Sequence, residues 1–383
     1  MKSTAACTRR VDICHVILTF KTCRLKGHGD FAERHCPCSP RSHIVNLPRS
    51  GASRMSNASA SSGSTPRAYA TDYHAPVMAA EVCEGLLTTP TGCYVDATAG
   101  GGGHTKALLD ALAPDGRVIA VDQDPEALTA VRNRLPDAID AGRLQLLRGN
   151  FRRLPALLRQ AGISTIDGLL LDLGVSSHQI DVPDRGFSFQ EEGPLDMRMD
   201  PEGRLTARTI VNEWSHGDLA RVLQRYGEER YAGALAGAIL DARPLETTTD
   251  LAEAIREEVP SHVVTKTLAR VFQGLRIAVN GELEALETVL HNSVELLSPG
   301  RRIAVLSYHS LEDRRTKRFL RYGNLEGTPK RDLYGTLIAP FAPIDASPQT
   351  ASEAEVEANP RARSARLRIA ERQSNDDVGP AMP

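Results

Sequence analysis

Four consecutive glycines, Gly100–Gly103, limit what this chain can fold into more than any other stretch. They follow an apolar run, Tyr94-Val95, that ends in Asp96, and they precede a helical pattern from Thr105 to Leu112. Strand, glycine turn, helix is the opening of a nucleotide-binding α/β unit. Glycine serves there because a Cβ would strike a ligand lying against the backbone and because tight turns often need positive φ. A dinucleotide fingerprint needs a sixth-position glycine, and from Gly100 the sixth residue is Thr105. A phosphate-binding loop ends Gly-Lys-Ser/Thr, and here His104-Thr105-Lys106 stands instead. A carboxylate followed by glycines suits a ligand with a positive charge and no phosphate, and S-adenosylmethionine is such a ligand. A glycine turn with no ligand is the other reading.

The strands that follow repeat the theme. Arg117–Asp122, Arg143–Leu147 and Gly168–Leu171 have strand character, and a short helix, Ala79–Leu87, leads into the first strand. Successive strand ends carry Asp96, Asp122, Asn150-Phe151 and Asp172. In an open α/β sheet, ligands bind beyond those ends. Asp122 stands where a carboxylate accepts ribose hydroxyls, although Asp124-Pro125-Glu126 also reads as a helix cap. The two fit together if Asp124 caps and Asp122 faces the ligand. Phe151 is either a platform for adenine or a core residue. After Asp172 comes a polar stretch, 173–199, read as a long functional loop.

Between 200 and 300 the pattern turns helical. Ser215-x-x-Asp218 is a capping box for a helix to Tyr226. Further helices are expected at Glu228–Ala242, from a Thr249 cap to Val259, and at His262–Asn280. On the last, Lys266, Arg270 and Gln273 share a face, as RNA contacts or as a solvated surface. Glu282–Leu297 is amphipathic with Leu283, Leu286, Leu290 and Leu297 inward. A fifth strand is expected at Arg302–Ser307, then a Ser310-x-x-Asp313 cap, with Tyr308 and His309 at the strand tip. Leu333–Ile338 and Ala365–Ala370 are expected to pair as an antiparallel edge, with Arg361 and Arg363 placed to touch phosphate.

Charge limits the partners. Residues 1–70 hold 11 Lys+Arg against 3 Asp+Glu, and the rest hold 35 against 45. The body is therefore no uniformly basic nucleic-acid binder, and RNA contacts must come from local patches. Cys7, Cys14, Cys23, Cys36 and Cys38 crowd the first 40 residues, unlike a secreted disulfide scaffold. His35-Cys36-Pro37-Cys38 lacks the paired spacing of a zinc site, so no metal is expected. No apolar run reaches the roughly 18 residues of a membrane span. Residues 1–70 read as a disordered extension, an organelle transit peptide or a mis-assigned start ahead of Met55, with order from Tyr73.

Several motifs in order then resemble one family. Asp-x-Thr-x-Gly-x-Gly-Gly-His (96–104), Asp-Leu-Gly-Val-Ser-Ser-x-Gln (172–179), Arg-Gly-Phe-Ser-Phe (185–189) and Gly-Pro-Leu-Asp-Met-Arg-Met (193–199) do so. So do Tyr-Gly-Glu-Glu-Arg (226–230), Ser-Tyr-His-Ser-Leu-Glu-Asp-Arg (307–314) and Asn-Pro-Arg-Ala-Arg-Ser (359–364). Together, across about 73–373, they resemble the bacterial ribosomal RNA small subunit methyltransferase H (MraW) family. The resemblance implies S-adenosylmethionine-dependent methylation of the exocyclic N4 of a cytidine in the decoding region of 16S rRNA. It implies cofactor contacts at Gly102, Gly103, His104, Asp122, Phe151, Asp172 and Gln179. The expected fold is α/β, a class I S-adenosylmethionine-dependent methyltransferase. Its Rossmann-like, mostly parallel sheet spans 71–180 and 281–383, with an all-helical substrate-recognition domain inserted at 181–280. That placement favours RNA contact by Lys266 and Arg270.

The cytidine amine is a poor nucleophile, because its lone pair is delocalised into the ring. An acceptor for its hydrogens would free that lone pair, and Asp172, Ser176 and Asp196 are the candidates. The Asp/Asn/Ser-Pro-Pro-aromatic motif of other amino-methyltransferases is replaced by Asp172-Leu173-Gly174-Val175. The rival readings are an amino-methyltransferase acting on DNA or a small molecule, and a non-catalytic ribosome-assembly factor. The expected partner is 16S rRNA in the small ribosomal subunit, in the cytoplasm and away from membranes; a homodimer is compatible with the sequence.

Overall fold

The computed structural model describes residues 76–374, all within one unit, Ser62–Pro383. The expectations for residues 1–70, for the His35/Cys36/Cys38 cluster and for Tyr73 as the first ordered residue lie outside the described residues.

The first half alternates helix and strand: α1 (Ala79–Leu86), β1 (Cys93–Asp96), α2 (Gly103–Ala111), β2 (Arg117–Asp122), α3 (Pro125–Arg134), α4 (Pro136–Asp140), β3 (Leu144–Arg148), α5 (Leu154–Gln160) and β4 (Ile166–Asp172). A short α6 (Ser177–Asp181) follows, then α7 (Ala207–Glu213), α8 (His216–Arg225), α9 (Ala232–Asp241), α10 (Thr248–Glu258) and α11 (Val264–Asn280). The chain returns through α12 (Glu282–Leu296), β5 (Leu297–Ser307), α13 (Ser310–Tyr322), β6 (Phe341–Pro343), α14 (Glu353–Ala358) and β7 (Arg366–Arg372).

The sheet order is β3-β2-β1-β4-β5-β7-β6. β1 to β5 are parallel, while β7 runs antiparallel to both β5 and β6. This is the class I methyltransferase sheet, mostly parallel with an antiparallel edge. Its inner strands are apolar on both faces because helices cover both. The period of two divides neighbours between the layers. Val95 packs with Leu158 and Val289 of α5 and α12, while Tyr94 packs with Leu86 and Leu108 of α1 and α2. Strand order reverses between β1 and β4, which opens a crevice at their carboxyl ends.

A second apolar core lies wholly between β4 and β5 in sequence. Ile210, Leu219, Val222, Leu235, Ile255 and Val271 bring α7 to α11 together there. Gly281, at φ 58, ends α11 and starts α12, so the chain turns back to the sheet at one left-handed residue. Arg276 grips Glu282 across that corner with two 2.9 Å hydrogen bonds.

The element boundaries differ from the sequence reading where side chains compete for a cap. The stretch after Asp172 is not wholly irregular: Ser176 and Gln179 form a reciprocal capping box and open α6. Glu228 sits at φ 51 and cannot be helical, so α9 begins at Ala232. Of three successive threonines only Thr247 stands three residues before Asp250, and it makes the reciprocal cap of α10 in place of Thr249. α11 begins two residues after His262, and β5 already begins at Leu297, ahead of Arg302. The cap of α13 is His309, not Ser310, because Glu312 reaches back to the N–H groups of Tyr308 and His309. At the edge, β7 pairs with Phe341–Pro343; Leu333–Ile338 is instead a turn with one bridge, Arg331 to Leu337.

Gly168 in β4 faces the ring of buried Tyr94, and a Cβ there would lie 2.5 Å from a ring carbon. Gly168→Ala is therefore expected to cost about 1–3 kcal/mol through overpacking, read as a lowered urea midpoint with an unchanged slope.

Candidate active site

The glycine turn is tied to three strand ends. Asp96 is fully buried and accepts from the Thr105 hydroxyl at 2.6 Å and from the Thr98 N–H at 3.3 Å. Burial pushes its pKa up, partly offset by His104 and Thr105. Asp96 thus clamps the turn onto α2 and does not line the cleft. Gly100 donates its N–H to Asp122 Oδ2 at 2.8 Å, and Gly102 stands at φ 77, where a side chain is strained. A Cβ on Gly103 would come within about 3.0 Å of Pro76.

A cleft of about 300 Å³ opens over these ends, lined by Gly103, Asp122, Phe151, Asp172 and Tyr308 among others. Asp122 also accepts from the Asp124 N–H at 2.9 Å, so each carboxylate oxygen keeps one lone pair for a ligand. Burial pushes its pKa up to about 6, against the pull of those two N–H groups. Asp124 does something different. It caps α3 through the Glu126 N–H and holds Gln179 at 3.0 Å and Arg185 at 2.9 Å. Phe151 both borders the cleft and packs on the α5/α12 side of the core. Beside it, Asn150 donates to Gln123 at 2.8 Å.

Asp172 joins β4 to everything around it. Its N–H donates to Thr98 Oγ1 at 2.6 Å, and its Oδ1 accepts from Tyr308 Oη at 2.8 Å. Its Oδ2 lies 3.4 Å from His104 Nε2, an ion-pair distance without a well-formed hydrogen bond. Burial alone would lower the His104 pKa, but Asp172 and then Asp96 outweigh it and raise it. Burial, reinforced by Asp172, holds the Tyr308 phenol well above 10, so it stays a neutral donor. His309 Nε2 lies 3.1 Å from Glu312 Oε1. Glu312 is nearly fully buried; burial would raise its pKa, yet His309 and Arg276 hold it below the usual range.

The remaining sequence candidates divide. His104 and Ser176 line the cleft, and Gly102 shapes the turn behind it without lining it. Gln179 also borders the cleft, but its amide is engaged at both ends, accepting from Ser176 N–H and donating to Asp124. Asp196 is a correction: it is not among the lining residues, and Arg198 binds both its oxygens at 2.8 and 2.5 Å. Burial would raise the Asp196 pKa, but Arg198 lowers it. Lys266 and Arg270 are exposed on α11, away from the cleft lining. Arg270 lies 3.5 Å from buried Glu229, and Gln273 donates to the Tyr226 carbonyl, so two of that proposed trio are engaged within the protein. Arg361 borders the cleft and is bound to Ser177 and Asp181 of α6, whereas Arg363 is exposed. Sequence reasoning did not place Thr98, Arg276, Asn280 or Glu312 in the site. Glu312 had a signal, three residues after a strand-tip histidine; Arg276 and Asn280 had none, since they arrive from the second core.

The family described as the MraW methylase family matches residues 71–373. The chain is similar to "Ribosomal RNA small subunit methyltransferase H" of Flavobacterium johnsoniae, 46% identical over 304 residues, 79% of this chain and 98% of that protein. It is also similar to proteins of the same name from Amoebophilus asiaticus, 46% identical over 78% of this chain and 96% of that one, and Halorhodospira halophila, 46% identical over 79% and 94%.

The raised Asp122 pKa has a readable consequence. We propose that Asp122 takes the ribose diol; the ionised carboxylate accepts from both hydroxyls, whereas the acid must turn one oxygen into a donor, so calorimetric affinity for S-adenosylmethionine should rise as pH climbs through about 6. At pH 5 about a tenth of the group is ionised, so binding should be about tenfold weaker than at pH 8. Asp122→Asn should remove that step. Stability moves the other way: the group's contribution is full below the unfolded value of 3.8 and is lost as pH rises through about 6.

Proposed function

The chain belongs to the MraW methylase family, and on that premise we propose that it methylates the exocyclic N4 of a cytidine in the decoding region of 16S rRNA, using S-adenosylmethionine. The observation that carries the reading is the tip of β4, where Asp172 is oriented by a neutral phenol and a buried imidazole beside a glycine turn and a second carboxylate. The names of the similar proteins support an RNA substrate in the small subunit.

The residues present fit that cofactor. Asp122 keeps acceptor capacity for a diol, Phe151 offers a ring face, and the turn at Gly100–Gly103 lets backbone approach where side chains would obstruct. When bound, S-adenosylmethionine supplies an electrophilic methyl group that needs little activation. The chain's own residues must therefore prepare the amine. Asp172 accepts an N4–H, which draws the nitrogen lone pair out of conjugation. Tyr308 keeps that carboxylate aimed, and Ser176, at the mouth of α6, is the second acceptor. Holding the nitrogen and methyl in line at about 3 Å is the proximity contribution. The methylated nitrogen is acidic and yields its proton to Asp172, which becomes the neutral acid between Tyr308 and His104.

The base must leave its stack to reach this depth, at a cost of a few kcal/mol. Arg276 borders the cleft from the helical segment and is our candidate to offset it with a contact to the flipped nucleotide, while the Asn280 amide is engaged by Met197, Met199 and Arg276. We assign substrate recognition to the 181–280 segment on that ground, and action in the cytoplasm where the small subunit is assembled.

The test offers labelled S-adenosylmethionine to unmethylated small subunits, naked 16S rRNA and DNA, followed by nucleoside mass spectrometry. N4-methylcytidine from ribosomal RNA supports the reading; product only in DNA, or none with cofactor still bound, overturns it. Asp172→Ala is expected to lower single-turnover transfer at least a hundredfold, the usual loss of a positioned proton acceptor. Transfer at the wild-type rate would remove Asp172 from the chemistry.

A further inference from the structure

We propose that the exposed face of α13, together with the turn at residues 330–336, is the surface along which the substrate RNA backbone lies. The inference rests on the RNA reading above and names the docking surface for it. The body from residue 71 onward carries ten more acidic than basic residues, so a polyanion needs a local exception. Residues 314–331 are the richest such exception, with seven Lys+Arg against Glu326 alone.

Helical geometry aligns the charges. Arg314, Lys317, Arg318 and Arg321 recur at i, i+3, i+4 and i+7 and form one exposed stripe, while Thr316, Phe319 and Leu320 face the core. Arg315 leaves the stripe to bind Glu287 at 2.7 Å. Arg314 shares its charge with half-exposed Glu228 at 3.3 Å, a pair that solvent screens. Lys317, Arg321 and Lys330 have no carboxylate partner among the described residues. Arg318 donates to the Leu325 carbonyl at 3.2 Å, which keeps the stripe beside the chain leading to Lys330 and Arg331.

The turn adds a stacking face. Asp332 Oδ1 accepts from the N–H groups of Tyr334 and Thr336, both at 2.8 Å, so the tip is built. Yet Leu333 and Tyr334 stand 95% and 93% exposed at that tip. An aromatic ring and an aliphatic side chain presented to solvent between cations match a nucleobase next to phosphates. The other end of α13 starts at the cleft, since His309 and Glu312 border it. At 1.5 Å per residue the 13-residue helix leads about 20 Å away from the cleft. A strand whose target base enters the cleft can therefore follow the stripe to the turn.

The experiment compares the full-length wild-type chain with two variants. One is Lys317→Glu/Arg318→Glu/Arg321→Glu, and the other is Leu333→Ser/Tyr334→Ala. The probe is a 16S rRNA fragment spanning the decoding region, titrated at several salt concentrations, with cofactor calorimetry as the check on folding. The triple variant should bind RNA at least tenfold more weakly, with a salt slope reduced by about three, and its methylation loss should fall on KM. The tip variant should lose about tenfold through stacking, with little change in slope. If the triple variant fails to take up cofactor, Lys317→Ala/Lys330→Ala replaces it, with a slope reduced by about two. Wild-type affinity and slope in the charge and tip variants, with cofactor uptake intact and RNA still methylated by the wild type, overturns the surface alone. A wild-type chain that neither binds nor methylates RNA overturns both this surface and the substrate reading.

Discussion

A single carboxylate at the tip of a central strand holds the working end of this molecule together. Asp172 is reached by Thr98 from the glycine turn after β1, by His104 from α2 and by Tyr308 from the end of β5. Tyr308 comes from 136 residues further along the chain than Asp172. A charge so placed is costly to bury without partners. Here the phenol and the imidazole face the carboxylate from two of those segments, and Thr98 accepts the backbone N–H from the third. The same partners keep the carboxylate at a defined angle to the cleft. Orientation of that carboxylate and closure of the sheet tip are one arrangement.

The loop beyond Asp172 is organised by the same sharing of polar groups. Asp124 caps α3, and its second oxygen gathers Gln179 and Arg185. Arg185 in turn donates to the carbonyls of Arg198 and Met199, so a segment with little regular structure is fixed by one buried carboxylate and one guanidinium. Asp196, in that segment, is held by Arg198 outside the cleft lining. At the far side, Gly281 and the Arg276–Glu282 pair set the corner through which the second core meets the cleft. A site that borrows Arg276 and Asn280 from one core and Asp122 and Asp172 from another needs that corner to be stiff.

Much of the fold was legible in the residues. Continuous apolar runs, three of them ending in Asp and one ahead of Asn150-Phe151, marked four parallel strands, and the glycine turn marked where their tips form a crevice. Ser215 and Asp218 announced α8, and the leucines of α12 announced its buried face. The misplaced helix caps share one cause. Where several residues compete for a cap, as at Thr247–Thr249 or His309–Ser310, the winner is decided by geometry several residues away. The antiparallel edge was misplaced because the three residues of β6 are too few to show a period.

What the amino-acid order determined by itself is local: strand and helix periods, the positive-φ glycines, the carboxylates that end three of the first four strands, and an acidic body interrupted by short basic segments. Those follow from interactions within a few residues. Tertiary structure alone decided which strand-end carboxylates face the cleft and which are taken up inside the fold. Asp96 looks like Asp122 and Asp172 in sequence, yet it is taken up by Thr105 while the other two line the cleft. The partner that silences or orients a charge comes from a distant part of the chain, and only the folded packing brings the two within hydrogen-bonding distance.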